Sequence, residues 1–167
     1  MKYLSIVRHA KSSWDDPELP DLVRPLNDRG RNTLPVLQEI FSEYNIVPDL
    51  IYTSPATRAL HTAIALAKAN GMASSKLAIR QEIYFGTTQQ LLKLLQHTDA
   101  VFSDVVIVGH EPLLSGFIEL LTGFLPEKFP TGGTYRISFA VSEWNKIQAG
   151  SGKSEFWVNP KNRTEKK

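Results

Sequence analysis

Apolar and polar residues are arranged along the chain in blocks that predict β-strands and α-helices in turn. Short apolar runs, many of them β-branched, predict four strands, at residues 3–7, 50–53, 77–80 and 104–109, of which the first and the last are expected to be buried. Apolar residues at helical spacing predict helices between and after these strands, at about 28–44, 55–70, from 88 onward and 113–122. Two further strands are predicted at 134–141 and 155–158. This alternation predicts an α/β fold with three α/β/α layers, in which a central, mostly parallel mixed sheet carries helices on both faces.

Capping and turn residues place the predicted helix ends. Asn27 is an N-cap candidate for the first helix, and Pro35 is expected near its first turn. Ser54 is expected to cap the second helix, with Pro55 at its first helical position. Thr88 is expected to cap the third helix.

The chain length of 167 residues fits a single domain with a sizeable core. The sequence contains no internal repeat, and no linker divides it into two domains. We therefore predict one domain over residues 1–158 and a flexible C-terminal tail over residues 159–167.

Composition excludes several classes of protein. A formal net charge of +2 provides no large basic field, so nucleic-acid binding is not expected. No apolar run approaches the roughly 18 residues needed to cross a membrane. The absence of cysteine excludes disulfides, zinc–thiolate sites and a cysteine nucleophile. The N-terminus enters a strand without a secretory signal, so a cytoplasmic protein is expected.

Basic side chains follow three of the predicted elements at the same edge of the sheet. Arg8 and His9 end the first strand, Arg58 lies four residues after Ser54, and His110 follows the fourth strand. Each alone has a simpler interpretation, as a polar strand end, a solvated helix residue or a turn residue. Together, two arginines and two histidines suit a dianionic phosphoryl group. With no carboxylate cluster spaced for magnesium, we expect catalysis without a metal or other cofactor, in which the arginines neutralise charge.

Three segments resemble the core motifs of the histidine phosphatase superfamily, whose fold is that of the phosphoglycerate mutases. They are Arg8-His9-Ala10, residues 53–59 (TSPATRA) and residues 108–112 (VGHEP). Residues 8–14 (RHAKSSW), with 24–27 (RPLN) and Arg29-Gly30, are similar to the SixA type of phosphohistidine phosphatase. The resemblance spans about residues 3–140. It implies that His9 is a nucleophile that becomes phosphorylated, and that Arg8, Arg58 and His110 bind the phosphoryl oxygens.

Two further residues are weaker candidates. Glu82 occupies the place where many members of the superfamily carry a catalytic acid, although a loop carboxylate in a local salt bridge explains it equally well. A phosphoimidazole leaving group, with a pKa near 6.5, needs less help from an acid than a sugar alkoxide does. Arg24, in the long loop after the first strand, is expected to make a further contact with the anion.

Three functions remain open at this point. The first is a phosphohistidine phosphatase acting on a phosphorylated protein, such as a histidine phosphotransfer domain. It is favoured because the chain has no large insertion to enclose a small substrate. The second is a small-molecule phosphomonoesterase on the same scaffold. The third is a non-catalytic module that binds phosphorylated partners.

Overall fold

The structure is a computed structural model that describes residues 1–164 and contains a six-stranded mixed sheet. Its strands are β1 (Lys2–Arg8), β2 (Leu50–Thr53), β3 (Leu77–Ile79), β4 (Asp104–Gly109), β5 (Thr134–Phe139) and β6 (Lys153–Val158). The strands lie in the order β3-β2-β4-β1-β5-β6. The first four are parallel, whereas β5 pairs antiparallel with β1 and with β6. The predicted α/β class with a mostly parallel mixed sheet is therefore confirmed.

Helices cover both faces of this sheet. They are α1 (Asp28–Glu43), α2 (Thr57–Ala69), α3 (Glu82–Phe85), α4 (Thr88–Gln96), α5 (Leu113–Thr122) and α6 (Lys161–Thr164), with 3₁₀ turns at Asp21–Val23, Ser74–Lys76 and Trp144–Lys146. The apolar sides of α1 and α2 share one buried cluster, and those of α4 and α5 share another. Alternate residues of β1 serve the two clusters, since Leu4 and Ile6 belong to one and Val7 to the other. The result is three layers with the sheet in the middle.

The helix starts differ in detail from the predictions. Asn27 does cap α1, its side chain accepting a hydrogen bond from the Gly30 amide at 2.9 Å. Pro35, however, lies well inside α1, on its exposed side, rather than in its first turn. It lacks the amide that would bond the carbonyl one turn earlier, and water can satisfy that carbonyl on the exposed side.

The second and third helix caps also shift along the chain. Helix α2 begins at Thr57 and not at Pro55, because the Ser54 hydroxyl bonds the Ala56 amide at 3.1 Å in a turn that precedes the helix. Helix α4 is capped by Thr87, one residue earlier than expected, through a capping box with Gln90.

The topology places a crevice at the carboxyl ends of β1 and β4. These strands are neighbours, but the chain leaves β1 toward α1 on one face and leaves β4 toward α5 on the other. Open α/β sheets bind their ligands at such a switch point. Arg8 and Gly109, the last residues of the two strands, are paired across it.

The C-terminal segment is described only in part. Pro160 is buried, and the helix α6 follows it, while residues 165–167 of the predicted tail lie outside the described part of the chain. The flexibility of residues 159–167 stays a prediction. Within residues 1–164, no helix is long and apolar enough to span a membrane.

Candidate active site

His9 lies at the carboxyl end of β1 with its ring held in one orientation. Its Nδ1 is 2.7 Å from the Ala10 carbonyl oxygen, which can only accept, so Nδ1 carries the proton. The lone pair is therefore on Nε2, which lies 3.3 Å from Nε of Arg58. The His9 amide donates to the Gly109 carbonyl at 3.0 Å, which fixes the backbone to the end of β4. Only 7% of the residue is exposed.

Arg58 reaches the pocket from the first turn of α2. Its buried guanidinium lies between the two histidines, with Nε near His9 and Nη2 donating to Nδ1 of His110 at 3.4 Å. Thr62, one turn later, secures this position by accepting from the Ala10 amide at 3.1 Å and donating to the Arg58 carbonyl at 2.8 Å. The Thr62 hydroxyl thus connects the first turn of α2 to the residue that follows His9.

His110 follows β4 and has the opposite tautomer. Because a guanidinium can only donate, Nδ1 of His110 is the acceptor toward Arg58 and Nε2 carries the proton. That proton points to the buried Ser54 hydroxyl at 2.7 Å. The rings of His9 and His110 are 4.9 Å apart, centroid to centroid. Ser54, expected as a helix cap, instead orients His110.

Arg8 is anchored beside His9 by a turn between α5 and β5. Its Nη1 donates to the Phe129 carbonyl at 2.8 Å, whereas its buried Nε has no hydrogen-bond partner within residues 1–164. The Gly132 amide bonds the carbonyls of both Arg8 and His9, at 2.9 and 3.2 Å. Gly132 adopts a φ of 75°, which glycine accepts without strain.

Both histidines are neutral at physiological pH. Burial lowers the pKa of His9 to about 4, with Arg58 and Arg8 adding to the effect and the Ala10 hydrogen bond opposing it. Burial likewise lowers the pKa of His110 to about 3, assisted by His9 and the arginines. Burial also lowers the pKa of Arg8, and the nearby charge of Glu111 opposes that shift. A neutral Nε2 lone pair among cationic side chains is suited to receive a phosphoryl group.

Asp21, in the loop after β1, closes the site from outside. Its carboxylate accepts from Nη2 of Arg58 at 2.9 Å and from the Tyr84 hydroxyl at 2.7 Å, and its carbonyl accepts from Nη1 of Arg58 at 2.6 Å. Partial burial opposes the charge of Asp21, but the hydrogen bonds from Tyr84 and Arg58 outweigh it and lower the pKa. The Tyr84 ring meets His110 edge-on at 5.3 Å.

Arg24 approaches the same cluster from the loop. It is only 7% exposed, its guanidinium carbon lies 3.3 Å from the ring centroid of Trp14, and its Nε is 3.9 Å from the Asp21 carboxylate. Nε and Nη1 of Arg24 have no hydrogen-bond partner in the described chain. Buried guanidinium N–H groups normally have acceptors, so Arg24 keeps two donors that residues 1–164 leave unpaired.

The sequence matches a known family of proteins. The family model described as "Histidine phosphatase superfamily (branch 1)" matches residues 4–100. The chain belongs to this superfamily.

Several solved structures share the fold over nearly the whole chain. A protein described as a phosphohistidine phosphatase of the SixA type, from Agrobacterium tumefaciens, is 25% identical with a TM-score of 0.80, covering 95% of this chain and 98% of its own. A SixA protein histidine phosphatase complexed with tungstate is 21% identical with a TM-score of 0.82, covering 96% and 99%. A mycobacterial glucosyl-3-phosphoglycerate phosphatase is 14% identical with a TM-score of 0.70, covering 94% and 98%. These likenesses confirm the predicted phosphoglycerate mutase-like histidine phosphatase fold.

Among the residues named from sequence, Glu82 stands apart. It begins α3 and lines a separate shallow cavity with Gln90, Lys93 and His97. In the described chain, its carboxylate makes no hydrogen bond or ion pair. The structure therefore brings Arg8, His9, Arg58 and His110 together, with Arg24 close by, and does not bring Glu82 to them.

Sequence reasoning missed Asp21, Tyr84 and the role of Ser54. Only Ser54 offered a signal, because it lies in the same segment as Arg58. Asp21 contacts partners 37 and 63 residues away along the chain. As for a metal, no cluster of three or more candidate ligands occurs in residues 1–164.

Proposed function

We propose that this histidine phosphatase hydrolyses phosphohistidine on a protein, through a phosphorylated His9 intermediate and without a metal ion. The observation that carries the proposal is the neutral Nε2 of His9, which is buried and faces Arg58 at 3.3 Å. The sequence and fold likeness to proteins of the SixA type supports the phosphohistidine substrate.

The proposed reaction has two displacement steps. In the first, Nε2 of His9 attacks phosphorus, a new N–P bond forms, and the N–P bond to the substrate imidazole breaks. The His9 ring gains positive charge, which the Ala10 carbonyl stabilises by accepting from Nδ1. The second ring nitrogen of the substrate phosphoimidazole takes a proton from solvent, which an imidazole with a pKa near 6.5 does readily, so the electron pair of the N–P bond leaves on a neutral imidazole. In the second step, water attacks phosphorus and forms a new P–O bond, while the N–P bond to His9 breaks and its electron pair returns to Nε2. Phosphate leaves as the monoanion with both protons of the water, and His9 is again neutral.

Charge stabilisation falls to the basic side chains around His9. The guanidinium groups of Arg58, Arg8 and Arg24 would bind the three phosphoryl oxygens, with His110 beside them. Fixed donors aimed at charge that develops in the transition state supply much of the acceleration in phosphoryl transfer.

Exposed aromatic residues at the site favour a protein substrate. Trp14, stacked on Arg24, is 67% exposed, and Phe85, packed on Tyr84 at 4.5 Å, is 68% exposed. Large exposed aromatics are enriched at protein interfaces. A partner such as a histidine phosphotransfer domain fits this surface, although its identity and the cytoplasmic location stay predictions.

A small-molecule phosphomonoesterase is the second candidate. Its support is the fold shared with the glucosyl-3-phosphoglycerate phosphatase. The alcohol of a phosphomonoester leaves as an alkoxide unless a general acid protonates it. Glu82, the only carboxylic acid proposed from sequence, lines another cavity.

The test compares a histidine-phosphorylated protein with an alkyl phosphate ester such as glycerol 3-phosphate, with and without a chelator. We expect a higher kcat/KM for the phosphoprotein, no effect of the chelator, and trapping of phosphate on His9 after rapid quenching at alkaline pH. His9→Ala should abolish turnover, whereas His61→Ala, an exposed histidine of α2, should behave as wild type. A preference for the ester would support the phosphomonoesterase, and tight binding without turnover would support a binding module.

A further inference from the structure

A cavity of about 430 Å³ lies beside the segment that follows His9. Four segments contribute to its wall: the loop after β1, the first turns of α1, the segment before β5, and α6. Its polar lining residues are Lys11, Arg29, Asn32, Thr33, Thr131 and Lys161. A cavity of this size holds a small number of side chains.

The wall of this cavity is basic. Lys11, Arg29 and Lys161 all line it, and no carboxylate does so among residues 1–164. Asp28, next to Arg29 in sequence, is paired with Arg31, and Arg29 also lines a neighbouring cavity together with this pair and Asp15. The side chains of Lys11 and Arg29 have no acceptor within the described chain. Within residues 1–164, Lys11 and Arg29 therefore present positive charge that no carboxylate pairs.

Backbone contacts fix these cations relative to His9. Lys11 follows His9 by two residues, and its carbonyl accepts from the Asn27 amide at 3.0 Å. The start of α1 approaches so closely that a Cβ at Gly30 would lie 2.1 Å from that carbonyl oxygen. This contact holds the start of α1, and with it Arg29, next to Lys11. Thr131, which also lines the cavity, precedes Gly132 in sequence, and the Gly132 amide donates to the His9 carbonyl.

We propose that this basic cavity binds acidic side chains of the protein that carries the phosphoryl group. The proposal rests on the proposed function and adds that substrates with aspartate or glutamate beside the phosphohistidine are preferred. Ammonium and guanidinium groups pair with carboxylates, the guanidinium in a bidentate manner. Because Lys11 and Arg29 are exposed, the pairing is expected to act on encounter and KM and to be screened by salt.

The experiment uses two synthetic phosphohistidine peptides that differ only in their flanks, which are Asp and Glu in one and Ser and Gln in the other. The readout is the ratio of kcat/KM for the acidic peptide to that for the neutral one. For the wild type we expect a ratio of about 3 to 10 at low salt, the range typical of exposed ion pairs, falling toward one at high salt. Lys11→Ala/Arg29→Ala should bring the ratio to about one, mainly through KM. The control Lys68→Ala/Lys146→Ala removes the same charge elsewhere and should keep the wild-type ratio.

A second measurement separates this proposal from the proposed function. Fluorescence anisotropy with the unphosphorylated peptides reports binding to the cavity whether or not turnover occurs. Tighter binding of the acidic peptide, lost in the Lys11/Arg29 variant, supports the cavity even if phosphohistidine is not hydrolysed. A ratio of one in the wild type, or an equal loss in both double variants, would overturn the proposal and leave the proposed function standing. Tighter binding of a single-stranded RNA than of the acidic peptide would overturn it as well.

Discussion

Asp21 places a negative charge against the arginine that is expected to bind the phosphoryl group, so its replacement tests the electrostatics of the whole site. Asp21→Asn keeps the size of the side chain and an oxygen that can accept from Arg58 or Tyr84. It removes the charge that the Arg58 guanidinium now faces at 2.9 Å. We expect this variant to bind anions more tightly than the wild type.

The size of the effect follows from the exposure of the pair. The Asp21 side chain is 50% exposed, whereas that of Arg58 is 8% exposed. Two unit charges 4 Å apart interact by about 1 kcal/mol in water and about 4 kcal/mol near a protein surface. After a discount for solvent screening, removing the carboxylate should favour a bound phosphate by about 1–2 kcal/mol, or roughly tenfold in affinity.

The assay is the competitive inhibition constant of inorganic phosphate, measured at pH 7 with the phosphoprotein as substrate. Asp16→Asn, an exposed aspartate of the same loop, is the matched control and should leave this constant unchanged. If phosphate binds Asp21→Asn no better, or more weakly, then Asp21 serves chiefly to hold Arg58 in position and the electrostatic reasoning fails.

Two further predictions concern pH and Glu82. Because burial lowers the pKa of His9 to about 4 and of His110 to about 3, these two histidines should cause no change in kcat/KM for an alkyl phosphate ester from about pH 6 to 8, and a loss only as the pH approaches 4. The free energy of unfolding should decrease as pH falls from about 6.5 toward 4, because the histidines bind protons over this range in the unfolded chain and not in the folded one. Denaturant titrations that show no such decrease would contradict the lowered pKa values. For Glu82→Gln, we expect kcat/KM to change by less than about tenfold with phosphohistidine and with an ester, below the 10²- to 10⁴-fold usual for a general acid. A larger loss with the ester alone would mean that α3 moves and delivers Glu82 to the substrate.

The sheet and the four central site residues could be predicted because they depend on local pattern. A buried apolar run such as residues 104–109 is itself the strand, and the residue that follows it must lie at the carboxyl edge. His9 and His110 were located by this rule. Arg58 was predicted at the same edge because it lies in the first turn of the helix that follows the strand at 50–53.

The helix starts and the loop contacts were less predictable, because tertiary contacts compete for the same groups. Ser54 has the residue type of an N-cap, but its hydroxyl accepts from His110, a partner 56 residues away. Asp21 lies in a proline-rich loop with no periodicity, and its partners Arg58 and Tyr84 are brought to it only by the completed fold. Glu82 was predicted from the resemblance alone. It lines a cavity with Gln90 and Lys93, whereas Tyr84, two residues later in α3, donates to Asp21.

The site thus combines groups that the sheet holds in place with groups that a loop supplies. His9 is bonded through its backbone to β4, and Arg8 and His9 are both bonded to Gly132, so their positions depend on contacts within the most buried part of the fold. Asp21 belongs to a loop whose 3₁₀ turn contains no buried residue. Segments with few buried contacts open at lower free energy than core strands do. When a phosphoryl group enters, the contact that yields is therefore expected to be the one between Asp21 and Arg58, while the nucleophile keeps its orientation.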